Sequence, residues 1–132
     1  MKIAFEKHNG LVPAIVQNHA TGEVLMLGFM NEEALTETQR TRHAVLFSRS
    51  RNKLWKKGES SGHVLKVCEV RVDCDADALL VRVQPVGPGV CHEGHRTCFF
   101  RKLDVNGAAT ATEVRAFDPD EIYSRETKVP QP

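Results

Sequence analysis

Two short segments of this sequence concentrate side chains that bind metals: Asp73-Cys74-Asp75-Ala76-Asp77 and Cys91-His92-Glu93-Gly94-His95-Arg96-Thr97-Cys98. In an extended backbone alternate side chains point to opposite faces, which puts Asp73, Asp75 and Asp77 on one face and Cys74 on the other with Val72 and Val70. Carboxylates that close repel unless a cation sits between them, and hard oxygen donors suit Mg²⁺, an ion that also takes substrate phosphates. The competing reading is a solvated acidic turn after a strand, and spacing alone leaves both open. An EF-hand is excluded, because the glycine and closing glutamate of that loop are missing.

In the second segment, thiolate and imidazole are the donors Zn²⁺ prefers, in tetrahedral sites with Zn–S near about 2.3 Å. The spacing is not the C-x₂-C knuckle of structural fingers, so a further ligand must come from elsewhere, and Cys74 is the candidate. Cys68, between Val67 and Glu69, reads as an ordinary core thiol. Three thiolates and an open position describe a catalytic zinc, which lowers the pKa of its water toward about 7. A closed structural zinc, with His92 or His95 as fourth ligand, and a reactive Cys–His nucleophile are the alternatives. The nucleophile leaves the neighbouring acidic cluster without a role.

A third stretch, from Arg49 to Gly62, is basic and hydroxyl-rich. Arg49, Arg51, Lys53, Lys56 and Lys57, with Ser60 and Ser61, are suited to phosphates, and Trp55 to stacking on a base or ribose. The plainer reading is a solvated loop with one core tryptophan. One aromatic and no overall basic excess argue against a nucleic-acid partner.

The elements that must position these residues read as α+β, with more strand than helix. Leu11–Gln17 and Glu23–Met30 flank a turn and form a hairpin. Asn31 followed by Glu32 and Glu33 opens a helix that runs to about Arg40 or Thr41, with acids where the dipole favours them. Ala44–Ser48, His63–Asp75, Leu79–Gln84 and Thr97–Leu103 are the remaining strands, and Asp118–Tyr123 opens a short helix before a fraying, Pro-containing end.

At 132 residues the chain is one domain, long enough to bury a core without disulfides. Its 41% hydrophobic and 27% charged residues exclude wholesale disorder, and a formal charge of +1 argues neither for nor against a polyanionic partner. No apolar run is long enough to cross a bilayer, and the start breaks to polar residues too soon for a secretory signal. The expected setting is cytoplasmic and reducing, where the four cysteines stay free of disulfides.

Ser48 to His63, Asp73 to Asp77 and Cys91 to Phe99, in that order, resemble the phosphoribosyl-AMP cyclohydrolase family of histidine biosynthesis. The likeness reaches back through Gly10–Gln17 and Gly22–Leu27 and covers about residues 10–103, leaving 104–132 as a C-terminal extension that forms a surface hairpin and tail or adds to a dimer contact. The resemblance implies hydrolysis of N1-(5-phosphoribosyl)-AMP at the adenine N1–C6 bond, by a homodimer with one Zn²⁺ per subunit and a Mg²⁺ requirement. It carries the zinc ligands onto Cys74, Cys91 and Cys98, Cys74 coming from the other subunit, and the magnesium ligands onto Asp73, Asp75 and Asp77. His92 is the candidate for proton transfer, with His63 and Glu59 behind it, and a fourth-ligand role for His92 stays open. The substrate-binding set is Arg49, Arg51, Trp55, Lys57, Ser60 and Ser61. The short remainder after Cys98 implies the form without the pyrophosphohydrolase domain to which members can be fused. A metal-stabilised nucleotide-binding module is the main competitor, and it leaves the aspartates idle. A base deaminase fails because no C-x-x-C occurs.

Overall fold

A computed structural model describes residues 1–123, so the proposed fraying of the Pro-containing end lies outside the described residues. A 3₁₀ turn at Phe5–His8 precedes β1 (Val12–Asn18), β2 (Val24–Met30), α1 (Glu32–Thr41), β3 (Val45–Ser48), β4 (Lys53–Lys56), β5 (Leu65–Val72), β6 (Leu79–Pro85), β7 (Arg101–Leu103), β8 (Ala109–Ala111) and α2 (Pro119–Tyr123). The main sheet has the order β2-β1-β6-β5, with β1 and β6 parallel and the two outer pairs antiparallel. It is a mixed sheet with one main helix, as the composition of the segments implied. Among the described residues no helix is long and apolar enough to cross a membrane.

Strand alternation builds the core. Val12, Ala14 and Val16 of β1 and Leu79, Val81 and Val83 of β6 point inward and are buried, and Leu25, Met30, Leu46 and Leu65 join them. Fully burying each large aliphatic side chain stabilises the fold by about 1.5–3 kcal/mol. The β3–β4 hairpin folds over this sheet. Ala44 donates to the Leu65 carbonyl (3.0 Å) and Lys57 to the Ala44 carbonyl (3.0 Å), which ties the hairpin to β5. At its other side Leu46 seats on bare Gly28, where an added Cβ would lie 2.9 Å from Leu46 Cδ1.

Helix α1 starts where the sequence signals it, the Asn31 side chain accepting from the Ala34 N–H at 2.8 Å. Its buried Thr38 hydroxyl donates to the Val45 carbonyl and accepts from the Val45 N–H, both at 3.0 Å. Thr38→Val keeps the shape and orphans both buried backbone groups. Denaturant unfolding is expected to show a loss of about 1–3 kcal/mol, and an unchanged midpoint would mean that water replaces the hydroxyl.

Four expectations need correcting. β5 ends at Val72, short of Asp75, because the Asp73 carboxylate draws the following N–H groups into a turn. Lys53–Lys56 is a strand inside the stretch taken as a loop, with Trp55 on its inner face. The segment from Thr97 is irregular until Arg101, since the Thr97 hydroxyl accepts from the Phe99 N–H. Cys68 is exposed: Leu65 and Val67 take the inward positions of β5, which turns Cys68 outward next to them, at a bulge between Val67 and Glu69. β7, just before the C-terminal extension, pairs with β8 inside it to form an exposed hairpin, and α2 opens at Pro119.

Candidate active site

A cleft of about 340 Å³ lies between β2, the β3–β4 hairpin and the Cys91–Cys98 segment. It gathers Arg49, Trp55, Lys57, His92 and Cys98, which are distant in sequence. Its wall also includes Met26, Leu27 and Phe29 of β2, together with Leu46 and Phe47. Arg49 lies over the Phe29 ring, its guanidinium carbon 4.0 Å from the centroid, a cation–π contact that aims a positive charge along one wall. Nothing local marks Met26 or Phe29 as cleft residues in the sequence, because only the folding-over of β3–β4 makes them a wall.

The cysteine segment closes on itself and is then pinned to β2. Cys91 donates to the His95 carbonyl (3.0 Å) and Gly94 to the Cys91 carbonyl (3.0 Å). Gly94 has φ +99°, and a Cβ there would strike the Phe117 carbonyl oxygen, so only glycine serves. The Thr97 hydroxyl meets the Val24 and Leu25 carbonyls at 2.8 and 3.1 Å, and the Cys98 N–H donates to Leu25 at 2.7 Å. These bonds bring the Cys91 and Cys98 sulfurs together.

The two thiols are near enough to shift each other's acidity in opposite directions. A hydrogen bond from Cys98, helped by the Glu93 N–H at 3.4 Å, lowers the Cys91 thiol to about 5, and the same partnership pushes Cys98 up. Two neighbouring thiols, one of them acidified, are a chelating pair for a soft divalent metal, which binds the thiolate form. His92, next in sequence to Cys91 and exposed, opens into the same cleft. His95 takes no part there: it is buried and stacked on Phe100, centroids 3.6 Å apart at 6°, and serves as packing.

Other predicted residues stand outside the cleft lining. His63 is edge-on to Phe117 at 4.8 Å, and burial holds its imidazole below the usual range, against a bond to Gly89 and with help from the Lys57 charge. Ser61 caps the chain there, its hydroxyl accepting from the His63 N–H at 3.1 Å. Ser60 is half-buried, Glu59 is exposed, and the Arg51 N–H donates to the Ser48 hydroxyl at 3.2 Å.

Asp73, Asp75 and Asp77 do converge, their ligand atoms lying within 4.8 Å of one another. A turn gathers them, in place of a strand face. Asp73 accepts from the Asp77 and Ala78 N–H groups at 3.0 and 3.2 Å, and Ala76 takes φ 62°. Burial opposes ionisation of Asp73, but those N–H donors outweigh it and hold the carboxyl below its usual range. Lys7 is 3.4 Å from Asp77 and relieves part of the repulsion. The trio can hold a metal ion.

The acidic turn and the cysteine pair lie at opposite edges of the main sheet. Asp73 follows edge strand β5, and Cys98 hangs on edge strand β2, with β6 and β1 between them. Three interstrand spacings are about 14 Å. Among the described residues only the aspartate trio makes a three-member ligand group, so Cys74 does not join Cys91 and Cys98 within one chain.

The family model described as phosphoribosyl-AMP cyclohydrolase matches residues 26–100, which takes in the cleft walls, the acidic turn and the cysteine segment. A phosphoribosyl-AMP cyclohydrolase of Solibacter usitatus is 53% identical over 123 residues, covering 93% of this chain and 97% of that protein. One from Thiobacillus denitrificans is 56% identical over 120 residues, covering 88% and 90%. With the matched segments coinciding with the cleft and both ligand clusters, this chain belongs to the phosphoribosyl-AMP cyclohydrolase family.

Proposed function

We propose that this chain hydrolyses N1-(5-phosphoribosyl)-AMP with the help of zinc and magnesium, opening the adenine N1–C6 bond to give the formimino-carboxamide ribotide of L-histidine biosynthesis. The observation that carries the reading is the cleft of nucleotide-compatible chemistry that Cys98 and His92 line together, with Cys91 buried behind them.

Cys91 and Cys98 would hold the zinc with Cys74 of the partner subunit, which makes the working unit a homodimer in a reducing cytoplasm. A zinc held there supplies a water of lowered pKa at neutral pH. Substitution at N1 leaves the purine cationic and C6 electrophilic. Water adds at C6, the C6–N1 bond breaks, and N1 takes up a proton. His92 is exposed at the cleft beside Cys91, where an imidazole can receive the water's proton and return it to N1. His63 and Glu59 lie further back, so their part in proton transfer is indirect. Trp55 and Phe29 give the base an apolar wall, and Arg49 draws a phosphate to its rim. Arg51, Ser60 and Ser61 would shape the rest of the basic stretch. Asp73, Asp75 and Asp77 would hold the Mg²⁺, whose charge would favour a substrate phosphate, and because Cys74 lies among them both clusters would reach the partner's cleft together.

The test follows phosphoribosyl-AMP by ultraviolet absorbance with Mg²⁺, with and without a zinc chelator. Chelator-sensitive conversion to the opened imidazole is expected. A zinc-loaded protein without turnover would favour the nucleotide-binding module. In the same assay Asp75→Asn is expected to raise the Mg²⁺ concentration needed while leaving zinc stoichiometry intact, and loss of zinc instead would mean that the two clusters are misassigned.

A further inference from the structure

Among the described residues Lys57 is the one lysine or arginine that is buried. It is 5% exposed, its N–H is fixed to Ala44, and Gly58 after it is held at φ +86° against the His63 carbonyl, so the side chain has a defined place. A buried ammonium is costly unless an anion faces it. Among the described residues none of the ion pairs or side-chain hydrogen bonds includes Lys57. Its Nζ instead lies 5.1 Å from the Trp55 ring centroid, on a cleft wall shared with Cys98. Burial pushes the lysine toward its neutral form, and the groups that pull it back are Cys98 and Cys91.

We infer that Lys57 is a positioning residue whose ammonium, carried to the cleft wall on a buried side chain, is the fixed counter-charge of the Cys91–Cys98 metal centre, so that retention of a divalent metal depends on the positive charge at this position. The inference rests on the metal reading of those cysteines. Three thiolates around a divalent ion leave one net negative charge, and in a cleft walled by Trp55, Met26 and Leu46 that charge needs a neighbour of opposite sign. Lys57 supplies it without occupying a ligand position. Its surroundings also explain why it differs from Lys53 and Lys56 in the same stretch, which are exposed and half-exposed and free to meet solvent or phosphate.

The test uses the full chain and Co²⁺ as probe, titrated against a chromophoric chelator while the sulfur-to-cobalt charge-transfer band is recorded. Lys57→Met, which keeps length and loses charge, is expected to weaken Co²⁺ binding about 10–100-fold, the usual effect of removing an outer-shell partner. Lys57→Arg is expected to restore most of it, and a thermal melt confirms that each variant is folded. Lys57→Gln is the second neutral variant should the methionine variant fail to fold. A folded neutral variant with wild-type Co²⁺ affinity would overturn the inference, as would an arginine variant as weak as the neutral ones, since shape rather than charge would then matter. A wild-type protein without the sulfur-to-cobalt band would overturn the metal reading itself, and this inference with it.

Discussion

Cys98→Ser is expected to purify folded, without zinc and without turnover. The side chain contributes nothing to the bonds that place it: the Cys98 N–H to Leu25 and the Thr97 hydroxyl to Val24 and Leu25 are untouched by the change. Serine is nearly isosteric, so the melting temperature should stay within a few degrees. What changes is the donor. A serine hydroxyl is harder and far less acidic than a thiol, and it replaces a sulfur whose hydrogen bond is the largest influence holding Cys91 as thiolate. Both members of the pair are therefore weakened by one substitution. Without the metal the attacking water is no longer acidified toward a pKa of about 7, so turnover should fall by more than about 10³-fold. Metal analysis of the purified variant beside the absorbance assay checks both parts. Full turnover in a zinc-free Cys98→Ser protein would sink the assignment, and full zinc content with no turnover would make the metal structural.

Much of this site was legible because its residues carry their chemistry with them. Aspartates at alternate positions and cysteines beside histidines point to metal chemistry whatever the backbone does. The backbone itself was legible where one period dominates: β1 and β6 alternate buried and exposed positions, and Asn31 with its two glutamates marks the start of α1. It was illegible where side chains compete with the ladder. Asp73 captures two N–H groups and turns the chain that strand alternation would have kept extended. The carboxylates meet all the same, and the face assigned to Cys74 no longer follows from pleating. The Val67–Glu69 bulge shows the same limit, since one extra residue moves the inward set from Leu65 and Val67 to Val70 and leaves Cys68 outside, and nothing in the sequence there announces it. Lys57 was invisible for another reason. In sequence it is one more cation in a basic stretch, and only the Ala44 contact and the ring of Trp55 make it a buried charge.

Mixing two inactive variants, Cys74→Ser and Cys98→Ser, is expected to restore activity. Within one chain the acidic turn carrying Cys74 lies at the β5 edge and Cys98 at the β2 edge, about 14 Å apart by sheet spacing, whereas sulfurs on one zinc sit within about 4.6 Å of each other. No rotamer closes that gap. A two-fold dimer does, because the same pair of patches meets twice, with the Cys74 edge of each subunit against the cysteine segment of the other. Each homodimer of either variant then has two defective sites. In a hybrid, the defects fall together in one site and leave the other with all three thiols. Random exchange at equal concentration makes half the dimers hybrid, with one sound site in two, so recovery should approach about a quarter of the wild-type activity and zinc content should rise with it. The partial figure is informative: recovery well above a quarter would require preferential hybrid formation, and none at all, after subunit exchange has been verified by mass, would place each metal site within a single subunit. The 14 Å separation could then stand only if Cys74 were no ligand, and the zinc would rest on Cys91, Cys98 and His92.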